Sequence, residues 1–259
     1  MYSWLQSRYR LDLIWYRAVC SLEAEAARSY LGFLWWFIDP LLYLTVFYVV
    51  FAVVLNRGGD DFVAFLLAGL VIWKWFEASV KGGANSLTVN MGLIRQVYLK
   101  KIIFPVSAVI ATSIKSLLVL AIFVLFLLLF GYEISNAWLY LPLLMVVQLC
   151  LILGVAIFLS AITPFFPDLT YFVNYGLTLM FFMSGIFFDV SGVDQQAAQF
   201  LALNPMLLLI DGYRSVLLEG NLPALIIFIY PLALGVVLWF CGVICLRRYD
   251  RLYARIALV

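Results

Sequence analysis

The sequence predicts an all-α integral membrane protein: six transmembrane helices, an amphipathic interfacial helix before them, and a re-entrant helical pair at the outer face before the last span. Three observations predict it. Of 259 residues, 66% are hydrophobic and only 12% charged, with a mean hydropathy of +1.09, whereas soluble domains are nearer half apolar and a quarter charged. The apolar residues fall in runs long enough to cross a hydrocarbon core, joined by short polar turns. The charges are also segregated. With six spans, Arg8, Arg10, Arg17, Arg28, Lys81, Arg95, Lys100, Lys101, Arg247, Arg248, Arg251 and Arg255 fall on one side, against Arg57 and Arg214 on the other. That asymmetry places both termini and the stretch between the second and third spans in the cytoplasm.

Residues 1–30 alternate charge with bulky apolar groups such as Trp4, Leu11, Trp15 and Leu22, as an amphipathic helix in the cytoplasmic interface would. Charges throughout this stretch and the lack of an apolar core predict no cleavable signal peptide. The transmembrane domain is read as 31–246, followed by a charged tail, 247–259. Its first span is 33–55. Fifteen residues after Pro40 are too few to cross, so the span begins before Asp39, and Pro40 bends its start. The second span is 62–78, with Lys74 and Glu77 three residues apart.

The stretch Trp73–Pro105 then interrupts the apolar chain with polar residues and small breakers. Val80, Ala84, Leu87, Met91, Ile94 and Tyr98 recur at steps of four and three, an apolar stripe at helical spacing. Lys81, Asn85, Asn90, Arg95, Gln96, Lys100 and Lys101 surround it. The stretch reads as a cytoplasmic elbow offered to a partner, with a solvated loop on lipid headgroups as the alternative. The later spans are 106–130, 138–162, 170–188 and 222–246. Lys115 sits inside the third, either facing an interior pathway or snorkelling to the cytoplasm. Between the fifth and sixth, Asp189–Pro223 holds two apolar pieces too short to span, broken at Asn204-Pro205. They read as a re-entrant pair, or else as a surface loop with one interfacial helix.

Little catalytic chemistry is written here. Four cysteines and no histidine argue against a disulfide framework and a zinc site. No GxxxxGK[ST] phosphate loop is present. No HExxH and no clustered carboxylates suggest catalysis, so no catalytic and no metal residues are assigned. Two aromatic stripes stand out. Trp36, Tyr43, Phe47 and Phe51 share a face of the first span; Tyr171, Tyr175 and Phe182, with Phe181 beside them, share one of the fifth. Such faces could stack on sugar rings along a substrate pathway, or pack against lipid or a second copy.

Arg28–Leu42, with Leu31-Gly32, Leu34-Trp35 and Pro40-Leu41, resembles the interfacial-helix-to-first-span segment of type-2 ABC exporter permeases for polysaccharides such as O-antigen, capsule or teichoic acid. Gly92–Pro105 resembles that family's loop, matching at Leu93, Ile94, Val97, Lys101, Ile103 and Pro105, while Leu99-Lys100 replaces the usual Phe-Pro. Phe166-Pro167-Asp168-Leu169 stands where many members have Phe-Arg-Asp-Ile. Asn204-Pro205, Tyr213-Arg214 and Gly220 match elements before the last span.

The resemblance implies a homodimeric permease driven by two copies of a cytoplasmic ABC ATPase. ATP and Mg would be bound on that partner, and this chain would carry no cofactor. A lipid-linked glycan would be the substrate, membrane lipid the surroundings, and no nucleic acid is expected. Leu87, Met91, Ile94, Arg95 and Tyr98 would dock the ATPase; Asn204, Pro205, Tyr213 and Arg214 would form an outer gate. Two other readings stay open. An exporter of drugs, lipids or ions from the same family would show fewer pathway aromatics. A membrane-embedded enzyme of lipid-linked sugar metabolism would need clustered Asp, His or Arg at a cytoplasmic loop, where this chain has isolated charges.

Overall fold

The computed structural model describes residues 2–28, 30–50, 62–188, 194, 196 and 200–256, and its regular elements there are all helical. In chain order they are α1 (Tyr2–Ala27), α2 (Trp35–Tyr48), α3 (Phe62–Val89), α4 (Met91–Gln96), α5 (Ile103–Leu129), α6 (Leu141–Ile162), α7 (Leu169–Phe182), α8 (Pro205–Leu217), α9 (Leu225–Arg248) and α10 (Asp250–Ile256). Among these residues four helices are long and apolar enough to cross a membrane: α3, α5, α6 with the 3-10 turn Asn136–Tyr140 before it, and α9. The expected first span corresponds to α2, and its end, with Phe51, lies outside the described residues. The same holds for most of 189–199, the first half of the expected re-entrant pair.

Helix α3 is the central post. Seventeen of its residues are buried, against α5, α6, α7 and α8. Trp75 Nε1 donates to Ser113 Oγ at 3.0 Å, and the Ser79 and Thr112 hydroxyls lie 2.7 Å apart, tying α3 to α5. Gln148 of α6 donates to the Ile72 carbonyl at 3.0 Å. Between helices in hydrocarbon, where apolar association has no driving force, such bonds and close packing hold the bundle.

The helix that carries the second span does not end near residue 78. Helix α3 runs unbroken for 28 residues, about 42 Å at 1.5 Å per residue. The run Gly82-Gly83-Ala84 reads as a breaker, but a helical glycine costs only about 1 kcal/mol against alanine. Gly83 recovers this through packing: a side chain there would collide with Ala156 of α6. The fifth span is shorter than expected. Helix α7 has 14 residues, about 21 Å long, and turns off at Met183–Gly185, where Gly185 takes φ +67°.

Helices α6 and α9 meet backbone to backbone. The absent side chain of Gly154 is replaced by the Gly235 backbone, and a Cβ at Gly235 would lie 2.7 Å from Leu151 Cα. One turn pair further on, a Cβ at Gly242 would lie 2.7 Å from Phe158 N. Helix α1 follows α5: Arg17 stacks over Phe104 at 4.5 Å and Glu25 reaches Lys115. Between them Ala18 and Leu22 pack on Ala111. Lys115 therefore does not stand alone. Its Nζ lies 2.7 Å from Glu25 Oε2. Lys74 pairs with Glu77 as expected, at 3.2 Å, and Glu77 also takes Lys81 at 2.7 Å.

Candidate functional site

The elbow begins where α3 stops, at Asn90. Its Nδ2 donates back to the Ser86 carbonyl at 2.7 Å, and its Oδ1 accepts from Arg17 Nη2 at 2.8 Å. The short helix α4 follows, and Val97 turns the chain into extended backbone (φ −135°, ψ 136°). The predicted stripe is thus split at Asn90. Leu87 and Ile94 are buried in this chain's own cluster with Phe104, Ile157, Leu246 and Tyr253, and Met91 packs against its edge. Arg95 is exposed and Tyr98 is 76% exposed. Of the five expected docking residues, Arg95 and Tyr98 are the exposed ones.

What braces the elbow is α10, which the sequence offered only as a charged tail. Asp250 Oδ1 lies 3.4 Å from the buried Lys101 Nζ, and its Oδ2 accepts from the Tyr98 hydroxyl at 3.0 Å. That hydrogen bond to a carboxylate pushes the Tyr98 phenol pKa up. Lys101 also sits over the Tyr98 ring, 4.8 Å from its centre. Three residues on, Tyr253 is buried and donates to the Ala161 carbonyl at 2.6 Å, and burial pushes its pKa up as well. Tyr249, Tyr253 and Ile256 stand at steps of four and three, which was the available signal for a docked helix.

Asp250→Ala should orphan Lys101. Asp250 is partly exposed, so a cost of about 1–3 kcal/mol is expected, below that of a fully buried pair. Chymotryptic cleavage after Tyr98 should speed up, and Lys101→Met in the same chain should restore resistance. Equal cleavage of all three proteins would remove the brace.

At the other junction, Asn204 caps α8. Its Oδ1 accepts from Met206 N at 3.0 Å, and its Nδ2 donates to Ser184 Oγ at 3.2 Å and to the Met183 carbonyl at 3.3 Å. Pro205 opens the helix, where its missing N–H costs nothing. From the last turns of α8, Arg214 donates to three backbone carbonyls: Phe65 (3.0 Å), Gly185 (2.7 Å) and Ile186 (3.1 Å). Its guanidinium lies 3.4 Å from the Phe65 ring centre. Tyr213 is fully buried. Asn204 and Arg214 thus tie the two ends of α8 to the segment after α7, and Arg214 also to the start of α3, while Tyr213 packs in the main core.

The aromatic residues divide. Tyr171, Tyr175 and Phe182 lie on the exposed face of α7. Phe181 turns inward, 5.7 Å from Trp73 and 5.1 Å from Phe187. Trp36 is half-buried and occupied by α1 and α5, with its ring 4.8 Å from Phe33 and the Lys115 ammonium 5.7 Å above it. The side chains of Tyr43 and Phe47, like those of Asp39 and Pro40, lie outside the described set.

Residues 24–218 match the family model of the ABC-2 type transporters. The chain belongs to that family. Among curated proteins, this ABC-2 type transporter chain is 31% identical over 204 residues to an O-antigen export system permease protein, RfbA, of Myxococcus xanthus, covering 78% of both. A protein of the same name from Klebsiella pneumoniae is 28% identical over 83% of both chains. The polysialic acid transport protein KpsM of Escherichia coli is 25% identical over 85% of this chain and 86% of its own. These relatives are named as permeases and transport proteins, not as enzymes. The matched segment contains the elbow, the Arg214 joint and α7, and stops before α9 and α10.

Proposed function

We propose that the chain is the permease subunit of an ABC exporter that moves a lipid-linked, O-antigen-type polysaccharide across the cytoplasmic membrane. The observation that carries this is the likeness to O-antigen export permeases over more than three quarters of each chain. In this reading the subunit is a homodimer with six spans per copy, α2 and α7 included, and a re-entrant pair around α8. Both termini face the cytoplasm, and two ATPase subunits bind ATP and Mg and drive transport by hydrolysis.

The elbow is the lever. Arg95, Tyr98 and the backbone between them meet the ATPase, while Leu87 and Ile94, with Met91 at their edge, anchor the lever in the bundle. The Arg214 joint then works as a hinge point under the outer segment. Deleting the chain from its host should abolish surface glycan while the lipid-linked polymer accumulates inside. Unchanged surface glycan would overturn the assignment.

The exposed face of α7 supplies the pathway lining. A face of Tyr171, Tyr175 and Phe182 presents rings for stacking on sugar C–H faces and hydroxyls for sugar oxygens. Tyr171→Ala with Tyr175→Ala should lower export by on the order of tenfold, at normal protein level and basal ATP hydrolysis. Export at the wild-type rate would return this face to packing.

A further inference from the structure

A cavity of about 420 Å³ opens between the elbow and the end of α9. Its floor is apolar: Ile102, Val243 and Leu246. Its rim carries Lys100, Lys101 and Arg247, against one carboxylate, Asp250. That carboxylate is already engaged, by the Lys101 ammonium and the Tyr98 hydroxyl. Lys100 and Arg247 are exposed, and neither has an ion pair among the described residues. An excess of two cations over an apolar floor selects an anion with a greasy body.

The approach to the cavity says which kind. The outward face of α9 is a run of exposed apolar side chains, Val237, Phe240 and Ile244, one helical turn apart and leading down to Arg247. An α-helix of this apolarity presents such a face to acyl chains, and the cavity lies where the chain leaves them.

We propose that this cavity binds the phosphate of an anionic membrane lipid, with Lys100 and Arg247 on the phosphate and the glycerol end over Val243 and Leu246. The bound lipid would then bridge the elbow and the last span, so membrane composition would bear on the lever. The inference rests on α9 crossing the bilayer and is independent of what the protein exports. A phospholipid phosphodiester and a prenyl diphosphate share this chemistry, and the experiment separates them.

The protein, reconstituted in nanodiscs of mixed phosphatidylglycerol and phosphatidylcholine, is released into detergent and its retained lipids are counted by native mass spectrometry. Wild type should retain phosphatidylglycerol in preference to phosphatidylcholine. Lys100→Ala with Arg247→Ala should weaken that retention by about ten- to thirtyfold, from roughly 1 kcal/mol per basic side chain near the surface. Lys81→Ala, removing a cation already paired with Glu77, should leave it unchanged. Both substituted positions of the double variant are exposed, so it should fold, and its unchanged melting in pure phosphatidylcholine verifies this.

Farnesyl diphosphate added in competition supports the site if it displaces phosphatidylglycerol, and then names the prenyl diphosphate as the preferred source. If it fails to displace, the phospholipid is the ligand. Equal retention by the double variant, or displacement by inorganic pyrophosphate at the concentration at which farnesyl diphosphate acts, overturns the lipid assignment.

Discussion

Arg214→Ala should leave the membrane domain largely unfolded, and Arg214→Lys should recover little. The guanidinium makes charge-assisted hydrogen bonds to the carbonyls of Phe65, Gly185 and Ile186, each worth about 1.5–3 kcal/mol. Removing it leaves three acceptors short of a donor in a buried joint, so a loss of about 4 kcal/mol or more is expected. Lysine carries the charge but not the planar fork, and cannot reach three carbonyls on two elements while stacking on Phe65. The joint has a second component that acts through the same guanidinium. A Cβ at Gly69 would lie 2.8 Å from Arg214 Nη2, so Gly69→Ala should push the same guanidinium off its partners. Denaturation in mild detergent, followed by thermal aggregation, measures all three. If Arg214→Lys melts with wild type, the joint is a charge site and not a fork. If Gly69→Ala adds its full cost on top of Arg214→Ala, the two do not share a mechanism.

The second large effect is at the α6–α9 seam. Gly235→Val should prevent the last span from docking, because its Cβ alone would meet Leu151 Cα and the Cys150 carbonyl at 2.7 and 2.8 Å. Backbone atoms cannot rotate away as a side chain can, so the helices must separate along the whole contact. Separation exposes the Gly154 and Gly242 contacts too, and with them most of what holds α9, since hydrocarbon gives no compensating drive to reassociate. Gly92→Ala is the matched control. Nothing lies within 4 Å of its added methyl, and helix propensity there favours alanine by about 1 kcal/mol. Protease protection of α9 in membranes should vanish in Gly235→Val and persist in Gly92→Ala. Equal protection would mean that the seam is looser than its geometry requires.

The long apolar helices were legible because their signal is composition over 20 or more residues, and α5, α6 and α9 fall within a few residues of the runs read from the sequence. The end of α3 was not. Gly82-Gly83 looks like a stop when read locally, and only the position of Ala156 on another helix shows why glycine is used there. Leu87 and Ile94 carried a true helical period, but periodicity states that a face is apolar and not what covers it. Here the cover is Tyr253 and Phe104, from segments distant in the chain. Lys115 was ambiguous for the same reason, and the role of Arg214 in the joint was hidden because its partners are backbone carbonyls that no side-chain pattern reports. The tail failed differently: its arginines drew the reading, while Asp250 and Tyr253 do the docking.

The Lys115–Glu25 pair also sets a timetable for biogenesis. The two residues are 90 positions apart, so the ribosome has long released Glu25 when Lys115 emerges and seeks the bilayer. A lysine at the centre of a span disfavours insertion by roughly 2.5–3.5 kcal/mol, and an α1 already made can offset part of this through Glu25. The N-terminal helix thus precedes the third span in synthesis and stays paired with it in the finished protein.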